Sequence, residues 1–218
     1  VTAVIFDLDG TLIDSAPDII AASNGLLVEA GYAPLPPAQI KGFIGKGLAY
    51  LIQRLLEAVG EVPDGPMFAP MFAKFTIRYE TAFDLTTVYP GVVGALEDLA
   101  GRGCALGICT NKPLVPTRTV LRHFDLTRHF GVVYGGDSLA VRKPDPAPLQ
   151  AAAADMGRAR VIFVGDSEVD AETAARAGVA FLLFTEGYRK TAVQDLPHRA
   201  AFNDFKQLPG LVAHIMEE

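Results

Sequence analysis

The stretch Val4-Ile5-Phe6-Asp7-Leu8-Asp9-Gly10-Thr11-Leu12-Ile13-Asp14-Ser15 constrains this chain more than any other. The apolar segment Thr2–Phe6 predicts a strand buried on both faces, as parallel sheets require. It stops at two carboxylates spaced i, i+2, followed by a glycine suited to a tight turn. If extended backbone persists through Asp9, the period of two aims Asp7 and Asp9 the same way. Acids converging at the carboxyl end of a buried strand stand where open α/β sheets hold their ligands. Left bare, the pair repels itself and one member is driven toward protonation. A bound cation resolves that conflict, with one acid as nucleophile and the other as proton carrier. Taken alone, the segment also fits a solvated Asp-Gly turn.

Helical spacing follows at 17–30, 48–59 and 67–83, separated by proline-rich loops, and no strand signal interrupts residues 16–84. Beyond Tyr89-Pro90-Gly91 the pattern changes. Helices at 92–99, 113–124, 146–156, 168–177 and 208–216 alternate with strands at 104–109, 132–134, 161–164 and 179–184. That alternation predicts βαβ units and a parallel sheet flanked by helices, an α/β fold. The first strand precedes the helical stretch. The expected organisation is therefore a discontinuous core, 1–15 and 85–218, with an all-α insert at 16–84.

Half of the 218 residues are hydrophobic, enough for a sizeable core. A net charge of −6 argues against a nucleic-acid binder held by a general basic field. It also means that a phosphorylated substrate needs a metal or local cations at its site. No apolar stretch approaches a membrane span, and no basic-then-apolar leader pattern is present. Cys104 and Cys109 fall on opposite faces of one predicted strand, roughly 16 Å apart, which predicts unpaired buried thiols and a reducing cytoplasm.

Three more polar groups sit at predicted strand ends. Thr110-Asn111-Lys112 follows the strand at 104–109, Arg142-Lys143-Pro144 follows the strand at 132–134, and Gly165-Asp166-Ser167 follows 161–164, with Asp170 one helical turn on. Singly, Thr110 and Asp166 also read as helix caps and Lys143 as an exposed loop residue. Jointly, and with Asp7-Leu8-Asp9-Gly10-Thr11-Leu12, they resemble the four motifs of the haloacid dehalogenase-like phosphohydrolases, in order and in strand context.

The resemblance implies a Rossmann-like core with a small helical cap, and a Mg²⁺-dependent phosphomonoesterase acting on a small phosphorylated substrate. In that scheme Asp7 attacks phosphorus and Asp9 carries the proton. Mg²⁺ rests on the Asp7 and Asp166 carboxylates and the Asp9 carbonyl, with Asp170 orienting them. Thr110, Lys143 and backbone N–H groups near Gly10 and Asn111 hold the phosphoryl group. Asp9 speaks against the branch that displaces halide, and Thr11 favours phosphatases over mutases. Phe43-Ile44-Gly45-Lys46-Gly47-Leu48 and Arg54 resemble the cap of bacterial phosphoglycolate phosphatases. Gly45, Lys46, Gly47 and Arg54 are thereby expected to hold the carboxylate of a two-carbon phosphate ester, although Gly45-Lys46-Gly47 also reads as a plain turn between helices. Rival readings keep the fold but change the substrate to a sugar phosphate or pyrophosphate, or the reaction to that of a β-phosphoglucomutase-like phosphomutase. The expected state is monomer or homodimer, with no nucleic-acid or membrane partner.

Overall fold

The structure is a computed structural model that describes residues 2–157 and 160–217. Its first strand, β1 (Thr2–Phe6), is buried along its whole length. Such burial suits a strand with neighbours on both edges and helices on both faces. A two-residue strand β2 (Ile13–Asp14) follows, and then helices α1 (Ala16–Glu29), α2 (Pro37–Lys41), α3 (Leu48–Ala58) and α4 (Phe68–Tyr79). The last ends four residues before the helical spacing at 67–83 suggests; Glu80 and Thr81 turn the chain, and 82–86 are irregular. The chain returns through β3 (Thr87–Val88), which pairs antiparallel with β2, Ile13 opposite Val88 and Asp14 opposite Thr87. Asp18 reinforces this crossing by accepting hydrogen bonds from Thr86 Oγ1 at 2.6 Å and the Leu85 N–H at 3.0 Å.

The remainder is α5 (Val92–Gly101), β4 (Ala105–Cys109), α6 (Leu114–His123), β5 (Val132–Tyr134), α7 (Ala147–Asp155), β6 (Arg160–Gly165), α8 (Glu168–Ala177), β7 (Ala180–Phe184), β8 (Ala200–Phe202) and α9 (Leu208–Glu217). Among the described residues, six strands form one parallel sheet in the order β5-β4-β1-β6-β7-β8. The fold is α/β and Rossmann-like. The chain winds outward from β1 in one direction, then returns to β1's other edge at β6. This reversal opens a crevice at the carboxyl ends of β1 and β6.

Side chains alternate across the sheet. Val4, Phe6, Leu106 and Ile108 join one hydrophobic cluster with α5 and α9, while Ile5, Cys109 and Phe163 join another with α7 and α8. Cys104 and Cys109 belong to these opposite clusters and are unpaired. Helices α1 to α4 build a third cluster of their own around Leu26, Ile52, Leu55 and Phe75. Among the described residues, no helix is long and apolar enough to cross a membrane.

Candidate active site

Every strand bordering the crevice delivers a polar residue to it. β1 runs directly into Asp7, whose N–H still bonds the Val164 carbonyl of β6 at 2.9 Å. β6 ends at Gly165, directly before Asp166, and Asp170 lies in the first turn of α8. There the Ser167 side chain accepts the Asp170 N–H while the Asp170 carboxylate takes the Ser167 N–H, a reciprocal cap that fixes the turn. Asp7, Asp166 and Asp170 are all buried, with one oxygen from each lying within 4.8 Å of the others.

The three acids are held differently. Asp170 is saturated: Oδ1 accepts Lys143 Nζ at 2.6 Å, and Oδ2 accepts from Ser167 Oγ, Ser167 N and Asp166 N. Asp166 takes one bond on each oxygen, from Thr11 Oγ1 at 2.8 Å and Tyr188 N at 2.6 Å. Asp7 Oδ1 is buried without a hydrogen bond; Lys143 Nζ is 3.0 Å away, but the contact does not meet hydrogen-bond geometry. Burial pushes the Asp7 carboxyl up to about 6, against the opposing pull of Lys143. Burial, with Asp170 and Asp7 beside it, raises Asp166 well above the usual carboxylate range.

An all-oxygen donor set with surplus negative charge and an orphaned buried oxygen fits a hard divalent cation such as Mg²⁺. Space for it is shaped by backbone. A Cβ at Gly10, where φ is +87°, would fall 2.6 Å from Asp166 Oδ2, and one at Gly187 would fall 2.3 Å from the same atom. The Gly10 N–H donates to the Ile13 carbonyl at 2.8 Å.

Asp9 stays out of the acid trio. Its carboxylate accepts Ser15 Oγ at 2.6 Å and Tyr79 OH at 3.3 Å, and pairs with Lys112 Nζ at 3.3 Å. Asp7 and Asp9 nevertheless line one chamber, together with residues of the helical insert that include Phe43, Gly45, Gly47 and Leu51. Thr110 is on the same wall. Its Oγ1 accepts the Lys112 N–H at 3.2 Å, which leaves the hydroxyl proton free of partners among the described residues. Asn111 spans core and cap, its Nδ2 donating to the carbonyls of Lys143 and Gly45, each at 3.0 Å. Lys143 is charged in place: burial opposes its ammonium, but Asp170 and Asp7 outweigh that and raise its pKa.

The cap residues divide. Gly45 and Gly47 reach the chamber, whereas Lys46 and Arg54 do not line it. Lys46 is exposed, its Nζ 5.1 Å from the centre of the Tyr50 ring. Arg54 pairs with Glu57 and lies over Phe43 at 5.6 Å. Three residues given no role from the sequence contact the site's carboxylates. Lys112 is buried with its Nζ 2.5 Å from Tyr79 OH. Burial lowers the Lys112 pKa, countered by Asp9. Burial and Asp9 hold the Tyr79 hydroxyl firmly protonated. Tyr188 binds Asp166 through its N–H, while its hydroxyl accepts the N–H groups of Ser15 and Ala16 and donates to Asp14. A lysine two residues past the strand-end Thr110 was the available signal for Lys112; nothing local marks Tyr79 or Tyr188.

The profile of the haloacid dehalogenase-like hydrolases matches residues 4–184. A phosphoglycolate phosphatase of Rhodobacter capsulatus is 49% identical over 210 residues, covering 96% of each chain. Another from Cereibacter sphaeroides is 50% identical over 214 residues, 98% of each. Among solved structures, a protein from Haemophilus somnus described as a predicted phosphoglycolate phosphatase superposes with a TM-score of 0.91 at 28% identity, over 96% of this chain and 97% of its own. The chain belongs to the haloacid dehalogenase-like hydrolases.

Proposed function

We propose that this chain, a phosphatase of that family, hydrolyses 2-phosphoglycolate to glycolate and phosphate through an aspartyl-phosphate. The observation that carries the chemistry is the buried junction of Asp7, Asp166, Asp170 and Lys143 at the mouth of β1 and β6. The substrate follows from relatives of that name at 49–50% identity over almost the whole chain.

Asp7 attacks phosphorus, splitting one displacement into two. Asp9 gives a proton to the leaving oxygen and takes one from the water that cleaves the aspartyl-phosphate. The free Thr110 hydroxyl proton and the Asn111 N–H receive phosphoryl oxygens, and Lys143 neutralises their charge while keeping Asp7 ionised. Asp7, Asp166 and the Asp9 carbonyl would hold Mg²⁺, with Asp170 fixing Lys143 and the turn that presents Asp166. Bound there, Mg²⁺ supplies charge neutralisation to the transferring group. Residues 16–84 act as the cap over a core of 1–15 and 85–218, excluding bulk water and admitting only a small substrate. Unpaired buried cysteines support a cytoplasmic setting.

The test is phosphate release with Mg²⁺ from 2-phosphoglycolate beside sugar phosphates, pyrophosphate and an aryl phosphate, with chelator controls. A kcat/KM about 100-fold above the panel, or about 2.7 kcal/mol of transition-state preference, is expected. Equal rates across the panel would contradict the substrate, and formation of an isomer without free phosphate would favour the mutase.

A further inference from the structure

We infer that Lys112, steadied by Tyr79 from the cap, is the residue that recognises a carboxylate on the substrate, and so sets the preference for a phosphate ester with a carboxylate on the carbon next to the ester oxygen. The inference rests on the phosphoglycolate reading and assigns the specificity to a residue of the core rather than to Lys46 or Arg54.

Three observations carry it. Among the described residues, Lys112 is the only lysine or arginine on the chamber wall. With Lys143 committed to Asp7, Asp170 and the phosphoryl group, a second anionic group entering the chamber meets Lys112 as the lining side chain of opposite sign among the described residues. Next, the ammonium is held but not exhausted. It contacts Tyr79 OH at 2.5 Å and Asp9 Oδ1 at 3.3 Å and lies 3.9 Å from the centre of the Tyr79 ring, which leaves one of its three N–H donors without an oxygen acceptor among the described residues. Buried beside apolar Phe43, Leu48 and Leu51, that donor is worth more to an anion than it would be in water.

The third observation is position. Lys112 Nζ lies 3.3 Å from Asp9 Oδ1, and Asp9 is the group that the proposed reaction sets on the leaving oxygen. In an ester P–O–CH₂–COO⁻ the carboxylate is attached to the carbon that bears that oxygen. A cation touching Asp9 is therefore placed for the carboxylate when Asp9 is placed for the oxygen. Tyr79 joins the contact to the helical insert. Its hydroxyl donates to Asp9 and accepts from Lys112, tying α4 of the cap to the two core residues that face the leaving group. A site built on a paired, desolvated cation rejects the neutral isostere strongly, because the lost partner leaves a buried donor unsatisfied.

The experiment compares kcat/KM for 2-phosphoglycolate, its neutral amide and ethyl phosphate in the wild type, Lys112→Met and Lys112→Arg, with circular dichroism to confirm folding. Wild type is expected to prefer the carboxylate about 100-fold. Lys112→Met should lose most of that preference, with the rate on ethyl phosphate changed much less than the rate on 2-phosphoglycolate; Lys112→Arg should retain part of it. Equal losses on all three substrates would show that Lys112 acts only through Asp9 and would overturn the assignment. So would a preference that survives in Lys112→Met. Should Lys112→Met not fold, Lys112→Arg and Tyr79→Phe decide it: each must narrow the ratio between 2-phosphoglycolate and its amide, and an unchanged ratio in both overturns the inference. A wild type without preference contradicts the substrate reading itself, an outcome read before any variant is made.

Discussion

Lys143 Nζ lies 2.6 Å from Asp170 Oδ1, with the two side chains only 2% and 0% exposed. The same ammonium is 3.0 Å from Asp7, so one cation balances two buried acids. Removing it leaves two buried carboxylates without the counter-charge they share. Lys143→Met is expected to lose about 3–5 kcal/mol of stability and at least about 10²-fold in kcat. Urea unfolding and steady-state kinetics at neutral pH measure the two; a variant as stable as the wild type would show that the junction is not desolvated as described.

Asp7→Asn should abolish turnover, by about 10⁴-fold or more, with the fold intact. It should also change the pH dependence of stability in metal-free protein. The folded-state pKa of Asp7, about 6, is above its ordinary 3.8, so the folded state binds the extra proton. That contribution is present at low pH and lost as the pH rises from about 4 to 6. Asn loses nothing over that window. The stability of Asp7→Asn relative to wild type should therefore climb between about pH 4 and pH 6, and Mg²⁺ should narrow the gap by favouring the wild type. Denaturant midpoints with and without Mg²⁺ check the sign; a gap that shrinks with rising pH would contradict it.

Much of this was legible in sequence because it depends on local pattern. The apolar run before Asp7 specifies a central strand, and strand ends at Thr110 and Asp166 put their side chains at the same edge of a parallel sheet. What escaped was too short or too distant. β2 and β3 are two residues each, created by pairing across the cap crossing, and β8 is three residues without a sustained apolar run. Tyr79 reaches Asp9 across 70 residues, a contact decided by how α4 packs. Gly45 and Lys46 are neighbours in sequence, yet only Gly45 faces the chamber; the direction of a turn's side chains is set by what surrounds it.

Tyr188 couples the acid cluster to the start of the cap. Its hydroxyl accepts the Ser15 and Ala16 N–H groups at 2.8 and 2.9 Å and donates to Asp14 at 2.7 Å. Tyr188→Phe strands the buried Ser15 N–H, while the Ala16 N–H keeps Asp14 Oδ1 at 3.3 Å, and is expected to cost about 1–3 kcal/mol. Thermal and urea denaturation measure it. No loss would mean that the hydroxyl is replaced by solvent.

Gly187→Ala places a methyl 2.3 Å from Asp166 Oδ2 and 2.4 Å from the Gly10 carbonyl. Overpacking at this point should cost about 1–3 kcal/mol and weaken Mg²⁺ binding by at least about 10-fold. Isothermal titration with Mg²⁺ reads the second effect, and wild-type affinity in the variant would move the metal away from Asp166.

The division of labour between Asp7 and Asp9 is tested most directly by trapping the phosphoryl group. In Asp9→Asn, an aryl phosphate needs no proton on its leaving group, while cleavage of the aspartyl-phosphate lacks its base. A burst of one aryl alcohol per site is expected and, after borohydride reduction, homoserine at position 7 by peptide mass spectrometry. A burst with position 7 unaltered, or a phosphoryl group on any other residue, would contradict it.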